Sequence, residues 1–315
     1  MKLVVSLALI LALFAVWTMI RVENHRLAAY RTHPPEGRFV QVDGHPVHVV
    51  QIGEGPDLVL IHGASGSTRD WTFDIAPVLA DRYRVTIFDR PGLGYTPPLA
   101  SSGVTLDDQT DLLVAASRAV GVESPVVAGQ SFGGAVLMNW AVRHSDYMAA
   151  AVDISGATHT WDTGRALLYR ILAQPVVGPV LAHLIAAWLP EDYLEAQIES
   201  VFAPNDPVPG YADHIGAGII LLPEQFVANA QQRHALLDQL PAQMALYPQV
   251  DVPLEIIHGD ADTTVGLSIH SIPLSQEVPG ANLTVLPGVG HMPQHVAMDE
   301  VIAAIDRAAL RAGAK

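Results

Sequence analysis

The chain has 315 residues, half of them hydrophobic, with 17 lysines and arginines against 32 aspartates and glutamates. So many apolar side chains suffice for a large buried core and exclude a disordered chain. A formal charge of −15 repels nucleic-acid phosphates, and the absence of cysteine excludes disulfides, thiolate metal sites and a cysteine nucleophile.

In chain order, Met1-Lys2 leads into an apolar run from Leu3 to Ile20, interrupted only by Ser6 and Thr18. That length matches the ~30 Å hydrocarbon core of a bilayer. The stretch "FAVWTMIRV" lacks the small residues of a cleavage site, and Trp17 stands where interface aromatics anchor. Residues 1–21 are therefore expected to form a transmembrane anchor, the alternative being a signal whose cleavage leaves an exported protein. Lys2 set against Arg21, Arg26 and Arg31 leaves the orientation open. Residues 22–38, with Pro34-Pro35 and Gly37, read as a linker.

Phe39–Val42 and Val47–Val50 flank Asp43-Gly44 as a strand pair with a turn. Short apolar runs follow at Asp57–Gly63, Arg84–Asp89, Pro125–Gly129, Ala149–Ser155, Pro253–Gly259 and Leu283–Leu286, the pattern of strands buried on both faces. Helical stretches lie among them at Thr72–Ala80, Leu106–Val120 and Phe132–Arg143. This alternation predicts an α/β domain, a mostly parallel sheet flanked by helices, built from residues 39–156 and 248–315. Residues 157–247 break the rhythm. They are helical in pattern and punctuated by prolines, and they read as a helical cap over the strand ends.

One run, "VVAGQSFGGAV", ends a strand on Gly129 and restarts as a helix at Phe132, so the chain must turn sharply at Ser131. Such a serine projects at the carboxyl edge of the sheet, where ligands bind. It becomes a nucleophile only with a base, and the base needs a group that fixes its tautomer. Downstream, "HGDADTTV" places Asp262 after a strand, and "LTVLPGVGHMPQHV" places His291 in a glycine-flanked loop after another. The candidate catalytic residues are therefore Ser131, Asp262 and His291, with Asp260 and Asp153 as alternative acids. "LIHGASG" supplies a glycine-rich turn after a strand, whose Ala64 amide joins that of Phe132 as a candidate oxyanion hole. His295 lies four residues after His291 as a helical metal clip would, but no third ligand has metal-site spacing; no metal and no cofactor is expected.

From Phe39 onward, "HGASG" at 62–66, "DRPGLGYT" at 89–96, "GQSFGG" at 129–134, "HGDADTTV" at 258–265 and "GVGHMPQH" at 288–295 together resemble the α/β-hydrolase superfamily, its serine-nucleophile esterase and monoglyceride-lipase branch. The resemblance implies an eight-stranded sheet, a cap inserted after the sixth strand, and cofactor-free hydrolysis through an acyl-enzyme. Dehalogenase and epoxide-hydrolase relatives carry aspartate at the elbow where this chain has Ser131. The expected function is a serine hydrolase cleaving carboxylic esters of apolar or lipid-like acyl groups. A carbon–carbon bond hydrolase of a diketone-type substrate and a non-catalytic binding member of the fold are the alternatives. Expected partners are a small-molecule ester and, through the N-terminal segment, a membrane.

Overall fold

The computed structural model describes residues 1–99 and 105–313. The apolar runs extend as β1 (Arg38–Val42), β2 (His45–Ile52), β3 (Asp57–Ile61), β4 (Arg84–Phe88), β5 (Val126–Gln130), β6 (Ala150–Ile154), β7 (Leu254–Gly259) and β8 (Asn282–Leu286). These eight strands of the described residues form one sheet in the order β1-β2-β4-β3-β5-β6-β7-β8. The β1–β2 and β2–β4 pairs are antiparallel and the remaining pairs parallel. The chain thus has the α/β fold that the motifs implied. Asp43 and Gly44 make the hairpin turn with φ of 50° and 81°, the backbone that strand twist demands of a two-residue loop.

Helix α1 (Lys2–Thr32) precedes the sheet, and α2 (Thr68–Thr72), α3 (Ile75–Leu79), α4 (Leu106–Ala119) and α5 (Phe132–Arg143) fill the crossovers as far as β6. An insertion between β6 and β7 carries α6 (Leu167–Leu172), α7 (Val177–Trp188), α8 (Glu191–Phe202), α9 (Tyr211–Ile215), α10 (Ala217–Ile220) and α11 (Pro223–Met244). Helices α12 (Ser271–Glu277), α13 (Pro293–Val296) and α14 (Met298–Ala312) complete the chain order. Because successive strand residues face opposite sides, Val59, Ile61 and Val127 pack with Leu113, Leu137 and Trp140 in one layer. Their neighbours Leu58, Leu60 and Ala128 pack with Trp71, Ile75 and Ile305 in the other.

Two expectations need correction. The helix expected over 72–80 is broken: α2 stops at Thr72, and Asp74 Oδ1 accepts the Ile75 amide at 2.7 Å as α3 begins. Residues 22–38 are not a linker throughout, because α1 continues without a break to Thr32. Val22 to His33 contain good helix formers and no glycine or proline, so the first breaker is Pro34. The polar residues of this half are interface groups. Arg21 Nε donates to the Ala187 carbonyl at 2.8 Å, Arg26 pairs with Glu224 at 2.5 Å, and the His33 ring meets the Asp213 carbonyl at 2.7 Å, while Val22 and Ala29 are buried. The second half of α1 is therefore docked on the helical insertion.

Candidate active site

The turn between β5 and α5 is forced by close approach. Cβ atoms added to Gly129, Gly133 and Gly134 would lie 2.3 Å from the Gly133 carbonyl, 2.3 Å from the Ile61 carbonyl and 2.4 Å from Asp153 Oδ1 respectively. Ser131, between them, has φ 55° and ψ −119°, a backbone that side chains rarely adopt. Its amide donates to the Ile154 carbonyl at 3.0 Å, and its own carbonyl accepts from Gly134 and Ala157. The hydroxyl faces a cavity of about 610 Å³ between the sheet edge and the insertion.

His291, after β8, sits with Nε2 2.9 Å from Ser131 Oγ and Nδ1 2.7 Å from Asp262 Oδ2. The structure thus joins Ser131, His291 and Asp262 in one hydrogen-bonded chain. Burial works against the Asp262 carboxylate, but hydrogen bonds from His258 and then His291 outweigh it and hold the group well below the usual carboxylate range. Backbone amides of Thr264 and Val265 bond Oδ1 at 2.8 and 2.9 Å, so both oxygens are engaged. The alternative acids do not bond His291. Asp260 accepts the Gly288 amide at 2.7 Å on the surface, and Asp153 lies buried beneath α5, its carboxyl pushed up to about 7 by burial. His295 turns away from His291 to meet Asp70 at 3.1 Å and Asp74 at 2.9 Å, and those carboxylates outweigh its burial and raise it to about 9.

Ala64 and Phe132 both line the cavity with Ser131. Gly63 brings the first turn against the second: a Cβ there would come 3.1 Å from Ser131 Cβ and 2.4 Å from Gln130 Oε1. Neither the Ala64 nor the Phe132 amide has a backbone acceptor among the described residues, so each is available to a bound oxygen.

Two supporting residues escape the sequence pattern. His258 at the end of β7 accepts from Ser271 Oγ at 2.6 Å through Nδ1, which leaves Nε2–H to face the Val265 carbonyl at 2.8 Å and Asp262 Oδ2 at 3.2 Å. Arg90, fully buried in "DRPGLGYT", donates to the carbonyls of His62 and Gly63 at 3.0 and 2.8 Å and stacks 4.3 Å from the Phe132 ring. Burial pushes its guanidinium down to about 9, and burial followed by the Arg90 charge pushes His62 down to about 4. His62 is therefore neutral and accepts the Arg90 amide at 2.9 Å. Charged residues inside glycine-rich turns were the available signal for Arg90. Nothing local marked His258.

A model of the alpha/beta hydrolase family matches residues 58–304, more than three quarters of the chain. The chain belongs to the alpha/beta hydrolase family. Among curated proteins, this alpha/beta hydrolase is 24% identical over 285 residues to haloalkane dehalogenase 2 of Mycobacterium tuberculosis, covering 87% of this chain and 94% of that protein. Its fold is similar to the esterase of Exiguobacterium antarcticum, with a TM-score of 0.69 at 19% identity over 86% of this chain and 99% of the other. It is also similar to a bacterial membrane phospholipase A, with a TM-score of 0.65 at 20% identity over 98% of each chain.

Proposed function

We propose that this hydrolase cleaves carboxylic esters bearing apolar acyl groups, with Ser131 as nucleophile. The observation that carries the reading is the hydrogen-bonded chain from Ser131 through His291 to Asp262, opening into a mostly apolar cavity. Ser131 Oγ attacks the ester carbonyl as its proton passes to His291 Nε2, and the ionised Asp262 holds the ring through Nδ1–H and stabilises the imidazolium. The oxyanion of the tetrahedral intermediate accepts from the Ala64 and Phe132 amides, each worth about 3 kcal/mol of barrier. His291 then protonates the departing alcohol. Water, deprotonated by the same ring, releases the acid and restores Ser131.

Two features support an apolar acyl group. The helical insertion, read as a cap, lines the cavity with Leu168, Ile215 and Phe226. Helix α1 is long and apolar enough to cross a bilayer, and its Leu3–Ile20 portion is largely exposed, which suits an anchored enzyme acting on lipid-like esters. The similarity to a membrane phospholipase A supports that reading, and the serine at the elbow counts against halide displacement.

The test is hydrolysis of a chain-length series of p-nitrophenyl esters by the full chain in detergent, beside Ser131→Ala. Turnover peaking at one acyl length and reduced roughly 10³- to 10⁶-fold in the variant is expected. Turnover retained in Ser131→Ala would overturn the nucleophile. Serine-dependent bleaching of a diketone with no ester turnover would replace ester by carbon–carbon hydrolysis.

A further inference from the structure

The cavity that holds Ser131 also holds two arginines, in a chain whose formal charge is −15. Asp70 is the one carboxylate that lines it among the described residues, and it is already answered by His295 at 3.1 Å and by the Tyr211 hydroxyl at 2.6 Å. Arg165 is answered as well: Nε donates to the His234 carbonyl at 2.6 Å, and Nη2 lies 2.5 Å from Asp238. Arg233, on α11, differs. Its guanidinium stacks 4.0 Å from the Tyr169 ring and Nη1 donates to the Tyr169 hydroxyl at 3.0 Å, with no carboxylate partner among the described residues.

A guanidinium laid on an aromatic face keeps its plane fixed while its edge donors stay open. That edge matches the two oxygens of a phosphate or carboxylate, which it takes in paired, charge-assisted hydrogen bonds. We propose that Arg233 binds an anionic oxyacid group, phosphate or carboxylate, carried by the ester that Ser131 attacks. The proposal rests on the ester-hydrolase reading and narrows its substrate class from apolar esters to amphiphilic ones, with Tyr169 as the platform that orients the cation.

Matched substrate pairs test it, using the full chain in detergent. One pair is a monoacylglycerol and the monoacylglycerol phosphate of the same acyl chain. The other is p-nitrophenyl hexanoate and the mono-p-nitrophenyl ester of adipic acid. The expected result is that Arg233→Gln lowers the anionic-to-neutral ratio of kcat/KM about 10- to 100-fold in at least one pair, mainly through KM, as loss of a charged hydrogen bond in binding requires. Arg233→Lys should restore part of the ratio, since it keeps the charge without the fork. A change in the phosphate pair places the anion on the alcohol side of the ester, and a change in the carboxylate pair places it on the acyl side. An unchanged ratio in both pairs, with Ser131-dependent turnover of the neutral esters intact, overturns the anion site and leaves the ester-hydrolase reading standing. Absence of Ser131-dependent turnover in all four substrates overturns both.

Discussion

Ser131 occupies backbone space that costs a side chain about 1–3 kcal/mol, at φ 55° and ψ −119°. The serine is retained against the strain because only this turn lifts Oγ off the sheet edge towards His291 Nε2. Removing the hydroxyl in two ways separates function from strain. Ser131→Ala and Ser131→Gly should both be inactive, but the glycine variant should be the more stable by about 1 kcal/mol, read as a higher midpoint in urea. Equal midpoints would mean that the turn is not strained. Gly133→Ala should act oppositely: its Cβ would meet the Ile61 carbonyl at 2.3 Å, so it should lower stability and activity together. Ser131, Asp262 and His291 were legible because each follows an apolar strand that brings it to the same sheet edge, a matter of local pattern. His258 and Arg90 were not, because their partners are decided by which strand ends become neighbours. His258 finds Asp262 only after the loop behind β7 folds back, and Arg90 bridges carbonyls 27 and 28 residues away.

At the scale of elements, His295 on α13 joins parts that lie far apart in sequence. It pairs with Asp70 of α2 and with Asp74 at the start of α3, while Tyr211 of α9 donates to Asp70. The loop that carries His291, the core helices and the insertion are thus tied at one buried point. The imidazolium is favoured by folding, its pKa rising from 6.5 to about 9 because the two carboxylates outweigh burial. Its stabilisation is accordingly complete below pH 6.5 and is lost as pH rises through about 9. Asp70 is shifted the other way, so its contribution is present above the ordinary 3.8 and lost in acid. The full shift of His295 corresponds to roughly 3 kcal/mol at about 1.4 kcal/mol per unit. Between pH 6.5 and 9.5 the wild type should therefore lose more Tm than His295→Asn does, a comparison that cancels other alkaline titrations. Parallel pH profiles would rule out the clamp. None of this was visible in a spacing that offered only His291 and His295 as a pair. The extent of α1 was equally hidden: proline and charge near residue 34 suggested a connector, whereas helix propensity and contacts with residues 186, 187, 213 and 224 carry the helix to Thr32.

Across the whole molecule, the apolar surface does not end with α1. On the neighbouring insertion, Leu167, Val176, Val177 and Val180 are exposed, and Trp188 packs edge-on to Trp17 at 4.9 Å under the guanidinium of Arg21. If α1 anchors the protein, Trp17 and Trp188 should lie at the lipid boundary, where aromatic rings with a polar edge settle. Reconstituted in bilayers with brominated acyl chains, the wild type should show partial quenching of tryptophan fluorescence that falls sharply in the Trp17→Phe/Trp188→Phe variant. Unaltered quenching in that variant would place the boundary elsewhere. The order of the sheet along the chain has a further consequence, for biosynthesis. Ser131 is translated long before β7 and β8, which supply Asp262 and His291, and the parallel pairing of β6 with β7 joins Ile154 to Ile257 across the whole insertion. A ribosome that has delivered α1 and the first six strands therefore carries a chain with its nucleophile but without its base. Hydrolytic competence arrives only with the last few dozen residues, so a truncated or stalled chain is chemically silent towards the lipids around it.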